Sequence, residues 1–526
     1  MGAIHTTRDN PGLPLVLRRK WALGLVALAA LALVYLMVLA LNWPFTERSL
    51  IDVLQERSLR SVTVNRFYQT YFPPGCVAEG VSFLHRKDKS KPPLITIQRL
   101  VVAGSYSGLL ALQHRLSLVR VFGMRVTVPP KQPNGEPNPI MPLNYSKSAS
   151  RLTIDEIIAD GAELYFMPAN RGEKPFRMIV DKLAARDVGD NRAIPYRTVI
   201  SSTVPPGKIR STGKFGPWNP NDPRPTPVSG SYTFADANLG FFEGISGTLS
   251  SSGNFHGTLG AVATEGSVDV PNFKLTDTSH TRRLAARFHA VVDATNGNTL
   301  LQDVTAHFDR TTAVFKGSVA GKEDEQGKAV SLDMILANGR IEDLFNLFIS
   351  AKRAPLNGEV SMRARAGLPP GPQPFVTRLK FEGVFGVEAG KFTDAATEAD
   401  LTRLSESAEK RTKADREDPE RVLSGLKGRV SATNGTATFS KLSFRVPGAK
   451  AVMHGTYRLT DYKIDLHGTM LTAGNPSAAT TGFKSFLIKA ITPFFKKKPA
   501  GKVVPFQITG KYGAATIGLD LSVKKK

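Results

Sequence analysis

The side chains able to do chemistry are scattered along this sequence, and their spacing builds no reaction centre. Nine histidines, His5, His85, His114, His256, His280, His289, His307, His454 and His467, fall at no metal-ligand interval, and the lone thiol, Cys76, offers them no sulfur pair. His289 and His307 stand on polar strand faces with Asp293 and Asp309 close by, which solvated faces produce without any function. Gly244-Ile245-Ser246-Gly247 is a broken nucleophile elbow without the strand–turn–helix context, and no glycine-rich phosphate loop occurs. We therefore expect a non-enzymatic chain with no catalytic residue, metal or cofactor. Cys76 follows Phe72-Pro73-Pro74-Gly75, which is no lipid-attachment context, and it reads as a small buried hydrophobe.

Composition then asks for β structure. The 526 residues are 41% hydrophobic, which excludes disorder, and 46 Gly with 35 Pro mean many turns and few long helices. That length exceeds one ordinary core, so several domains or one elongated repetitive body is expected. The net charge of +24 suits nucleic acid or an anionic lipid surface. Basic residues are spread over the whole chain and lack the interleaved aromatics of RNA-binding motifs, so no nucleic-acid partner is expected.

The most specific local signal is an apolar run from Trp21 to Trp43, carried by Leu25, Leu28, Leu31, Leu36 and Leu39. Its 23 residues are long enough to cross a hydrocarbon core of about 30 Å. Arg18, Arg19 and Lys20 precede it and Trp21 and Trp43 mark both interfaces, so the amino terminus is expected in the cytoplasm. The run exceeds the apolar region of a cleaved signal peptide, which favours an uncleaved anchor.

Beyond the anchor, Thr46 can cap a short helix through Leu50, Ile51, Val53 and Leu54. Short strands follow, shown by Phe288, Ala290 and Val292, by Val304, Ala306 and Phe308, and by Val330, Leu332, Met334 and Leu336, each alternating with polar neighbours. Met453, Tyr457 and Leu459 lead through Thr460-Asp461 into Tyr462, Ile464 and Leu466 as a hairpin. Asn-Gly pairs at 296, 338, 357 and 434 signal further turns. The proline-rich stretches Pro129 to Pro142 and Pro205 to Pro227 are expected to be loops or crossings. Helices are expected at Ile341 to Ala351, in a polar stretch from about Asp394 to Arg411, and at Phe483 to Ile491.

Each strand has one apolar face that something must cover. A sandwich or barrel would cover it with the sheet itself. A long sheet curled into an open groove would leave it for acyl chains, and alternation alone does not choose between them. Phe483, Phe486, Leu487, Ile491 and Phe494 line one side of an amphipathic helix, 483–495, with Lys484 and Lys489 beside them. Such a helix could cap the sheet or touch a lipid surface.

In order along the chain, several short motifs resemble the AsmA-like family. They include Val77 to Phe83, Leu94 to Val102, Ser107-Gly108-Leu109-Leu110, Gly244-Ile245-Ser246-Gly247-Thr248-Leu249, Pro355-Leu356-Asn357-Gly358, Val446-Pro447-Gly448-Ala449, Thr481-Gly482-Phe483-Lys484-Ser485 and Val504-Pro505-Phe506-Gln507-Ile508-Thr509-Gly510. Gly513-Ala514-Ala515-Thr516-Ile517 departs from the family, which often carries a proline there. The resemblance implies a mainly β body, an elongated, curled, antiparallel-rich sheet with an open apolar groove, held in the periplasm by an inner-membrane anchor. It implies a non-enzymatic role in binding or conducting phospholipid or another acyl lipid, with other envelope proteins as further partners. A structural or assembly role through protein contacts is the alternative. Groove residues would include Phe288, Val292, Phe308, Leu332, Met334, Tyr457, Leu459, Ile464 and Leu466. About 25 strands would make a sheet about 120 Å long. The expected segments are a cytoplasmic 1–20, the anchor 21–43, an AsmA-like 46–128, a loop 129–150, a central β-rich 151–352 and an AsmA-like 353–526.

Overall fold

The computed structural model of the chain describes residues 25–31, 33–35, 37, 38, 40, 43–58, 60–85, 92–110, 115–128, 153–167, 176–189, 192–217, 222, 224–242, 244–275, 281–321, 327–348, 354, 356–392, 424–446, 449–472, 503–511 and 516–520. Among the described residues, twenty-five strands join into one long open sheet, and the helices are few and short. Almost every strand pairs antiparallel with the one before it in sequence, because glycine and asparagine turns return the chain at once. The exception is Arg115–Val128 against Thr153–Phe166, which run parallel and are joined through the proline-rich segment. Arg115, Arg120 and Arg125 meet Asp155, Asp160 and Glu163 across this seam at 2.7 to 2.8 Å. Among the described residues the first edge, Val62–Thr63 with Arg66–Thr70, pairs only with Gly75–Phe83, and the last strand, Thr516–Leu519, only with Val503–Lys511. Two short pieces share a rank with a neighbouring strand, so the sheet measures on the order of 100 Å, shorter than expected.

Three sequence expectations need correction. Pro206–Phe215 is a strand paired on both sides, although the interval was expected to be a loop or a crossing. The reason is local: the prolines bracket it, and Gly207 to Phe215 contains none to break a ladder. Asn338-Gly339 and Asn357-Gly358 lie at bulges inside strands: Asn338, at φ 55°, belongs to the strand that carries the extra residue, whereas Gly358 faces the extra residue of the partner strand, where Ala389 stands at φ 49°. Asn296-Gly297 and Asn434-Gly435 are turns, as read. The helix after residue 340 is described over Ile341–Phe348. The stretch Asp394 to Arg411 lies outside the described residues.

Two apolar clusters hold the sheet. Near the amino-terminal end, the helix Glu47–Ser58 starts where the Thr46 hydroxyl accepts from the Ser49 N–H at 3.2 Å. It lays Leu50 and Leu54 on Phe45, Cys76, Ala78, Leu100 and Val102. Cys76 is buried, as its sequence setting suggested. The second cluster runs from Phe308 to Phe506, with Ile341, Leu344, Phe345 and Leu347 of the other helix packed against it.

Candidate functional site: an uncharged face along the whole sheet

In a paired sheet, directly opposed residues share a face, so register partners can be followed from strand to strand. One such row begins with Phe67, Ala78, Leu100, Val121, Ala159 and Leu183. It crosses Thr198, Ser211, Tyr232, Gly253, Gly266 and Phe288. It continues through Val304, Phe315, Met334, Ala364, Gly383 and Val430. Phe439, Gly455, Leu466, Ile508 and Ile517 complete it. Every rank contributes one residue and none is charged. The opposite face carries the ions, among them Arg365 with Asp333 at 2.9 Å, Arg283 with Asp269 at 2.8 Å and Lys316 with Asp303 at 3.1 Å.

The expected groove residues fall on the uncharged face. Phe288, Met334 and Leu466 lie in the row, and Val292, Phe308, Leu332, Tyr457 and Ile464 lie an even number of residues from it in their strands. Leu459 stands just past the paired residues, its N–H donating to the Gly435 carbonyl at 2.8 Å. Phe308 is buried under the helix Ile341–Phe348, whereas the other eight are half-buried. No second sheet occurs among the described residues, and only short helices pack on this face.

Where the face turns polar, its hydroxyls are satisfied internally. Thr198 donates to the Lys182 carbonyl at 3.1 Å and Ser211 to the Ser231 carbonyl at 2.9 Å, while Tyr232 and Ser251 share a hydrogen bond of 3.1 Å. Glycine paves the same region, because Gly213 opposes Gly230 and Gly253 opposes Gly266. A Cβ on Gly253 would collide with the Glu265 carbonyl and stand 3.0 Å from the Tyr232 ring, so only glycine lets these strands approach so closely.

The helix Ile341–Phe348 is clamped by its own acids. Asp343 accepts from the Arg310 N–H at 3.0 Å and the Thr311 hydroxyl at 2.8 Å. Thr311 in turn accepts from the Arg340 N–H at 2.9 Å. Glu342 receives Arg310, Arg340 and the Gly358 N–H at 2.8, 2.9 and 3.2 Å. Burial pushes the Glu342 carboxyl up, but backbone donors and Arg340 outweigh it and hold the group below its usual range. A further tie closes the last hairpin: His467 bonds Asp520 at 2.7 Å and Asp465 at 3.1 Å. The Asp520 hydrogen bond raises the His467 pKa first of all, against a smaller opposing effect of burial.

The remaining sequence-picked residues divide in two. Leu25, Leu28 and Leu31 are helical and exposed, Leu31 at 68%, and Trp43 packs against Tyr71 with ring centroids 5.2 Å apart. Among the described residues no helix is long and apolar enough to cross a membrane. Trp21, Leu36 and Leu39, and all of Phe483, Phe486, Leu487, Ile491 and Phe494, lie outside the described residues. Sequence reasoning missed the amino-terminal half of the row, the buried acid clamp and the His467–Asp520 tie. Alternation in Lys208 to Phe215 and in Val228 to Phe234 could have signalled part of the first, whereas the other two join residues 32 and 53 positions apart. Among the described residues, no group of three or more histidine, cysteine or acidic side chains could hold a metal ion. The chain matches no protein-family model, no curated protein and no solved structure.

Proposed function

We propose that this chain is a membrane-anchored, non-enzymatic envelope protein of the AsmA-like kind, whose uncharged sheet face binds or conducts phospholipid or another acyl lipid. The observation that carries the reading is the row itself, uncharged across the whole sheet and half-buried at most of the expected groove positions. A face made only to seal a core is fully buried by a second layer. An acyl chain needs what this one offers, a continuous apolar path beside a charged and solvated reverse side.

Two further observations support a curled sheet with this face inward. Facing glycines relieve crowding where side chains converge on a concave surface. The Phe375 ring lies 3.5 Å from where a Cβ on Gly244 would stand, although the strands leading to them are six ranks apart and end on opposite sides. A flat sheet would separate those ranks by about 29 Å. The exposed apolar side chains of helical residues 25–31, 33–35, 37 and 38 support an anchor in the inner membrane, with the body in the periplasm.

The test is mass spectrometry of lipid carried by the purified full chain, with glutamate placed at Tyr457, Leu459, Ile464 and Leu466 in a second sample. Stoichiometric phospholipid in the first and its loss from the folded second are expected. Equal loading would sink the assignment of this face. The edge strand Thr516–Leu519, paired on one side only among the described residues, favours an alternative, assembly with other envelope proteins by strand addition. A stoichiometric protein partner without lipid would replace the carrier reading with that one.

A further inference from the structure

Apart from the uncharged face, the most exposed aromatic surface among the described residues lies where the chain leaves its first helical residues. Trp43 packs against Tyr71 with the rings tilted by 45° and meets Phe45 edge-on at 5.9 Å. Tyr71 and Phe72 open the turn between the strands Arg66–Thr70 and Gly75–Phe83. Tyr106, just past the strand Ile95–Gly104, donates its hydroxyl to the Tyr71 carbonyl, and its ring stands 5.8 Å from that of Phe72. Three connections therefore converge at one end of the first strands. Phe72 is 89% exposed, and Tyr71 and Tyr106 are exposed beside it.

Rings with an apolar body and a polar tip suit the layer between lipid headgroups and acyl chains. Continuity selects that partner over a protein, because the exposed leucines of residues 25–31 precede Trp43 by only a short stretch, and Trp43 is itself part of the cluster. We propose that Tyr71, Phe72 and Tyr106 form a seat in the interfacial layer of the phospholipid bilayer that receives the helix, with Trp43 as the joint. The strand ends at Gly75 and Gly104 then face the bilayer, and the uncharged face begins at the lipid surface. This rests on the anchor of the proposed function and is independent of what the sheet carries.

Depth measurement tests it on the full chain reconstituted in phosphatidylcholine–phosphatidylglycerol vesicles. Nitroxide is attached at Phe72→Cys, at Leu31→Cys in the helix and at Tyr462→Cys in a distant exposed turn; Cys76 is buried and stays unlabelled. We expect the label at 72 to be about tenfold less accessible to a water-soluble nickel chelate than the label at 462, and to exchange readily with oxygen dissolved in the bilayer. A label at 72 as water-exposed as that at 462, with 31 inside the bilayer, overturns the seat and leaves the anchor standing. Water exposure at 31 overturns both. Because Phe72 is almost wholly exposed, its replacement leaves the fold intact, and circular dichroism of the labelled chains checks this.

Discussion

Replacing Met334 by glutamate separates a lipid path from an ordinary sheet face, because its neighbour Ile335 points the other way. Met334 opposes Phe315 and Ala364 in the uncharged row, whereas Ile335 opposes Val314 and Arg363 and is 49% exposed. If an acyl chain lies along the row, a carboxylate at 334 removes apolar contact from about four methylenes. At about 0.8 kcal/mol each the loss is about 3 kcal/mol, roughly a hundredfold in affinity. The cost to folding is smaller, about 1 kcal/mol, since position 334 is half-buried and its carboxylate can still reach water. Ile335→Glu supplies the control for charge, and Met334→Leu the control for shape. The assay is phospholipid per chain by mass spectrometry, paired with titration of a fluorescent fatty acid. Equal retention of lipid by folded Met334→Glu and Ile335→Glu would refute the reasoning.

Asp343→Ala strands the Arg310 N–H and the Thr311 hydroxyl, so a loss of about 2 to 4 kcal/mol is expected in urea unfolding, with the helix Ile341–Phe348 losing hydrogen-exchange protection first. Gly253→Val forces a side chain against the Glu265 carbonyl and the Tyr232 ring; a cost of more than about 2 kcal/mol is expected, visible as a lower unfolding midpoint, and Ser252→Val on the exposed face should be nearly silent. Burial pushes the Cys76 thiol up to about 11, so maleimide labelling of the native chain at pH 8 should be slow and should accelerate only as the amino-terminal cluster unfolds. His467 has a raised pKa in the folded chain, so its contribution is fully present below the ordinary histidine value and is lost as pH rises through the raised one. Hydrogen-exchange protection of Val503–Lys511 and Thr516–Leu519 should accordingly fall across that interval, and His467→Gln should flatten the dependence.

The sequence by itself determined the class of element and the side of each strand. Alternation at Phe288 to Val292 and at Leu332 to Leu336 places those residues on one face, because successive strand side chains point oppositely by geometry. It likewise determined the Thr460-Asp461 turn, the Thr46 cap and the isolation of Cys76. Which turns become bulges was settled by tertiary structure, since Asn338-Gly339 and Asn434-Gly435 look alike in sequence and differ only in the partner strand each meets. The strand from Pro206 to Phe215 escaped for a related reason: prolines at its ends looked like prolines within it. Above all, only the pairing register joined short stripes into one uncharged row from Phe67 to Ile517. A stripe is a property of single strands, but its continuity depends on pairing partners as far apart as Gly383 and Val430, 47 residues along the chain, and local patterning carries no record of that choice.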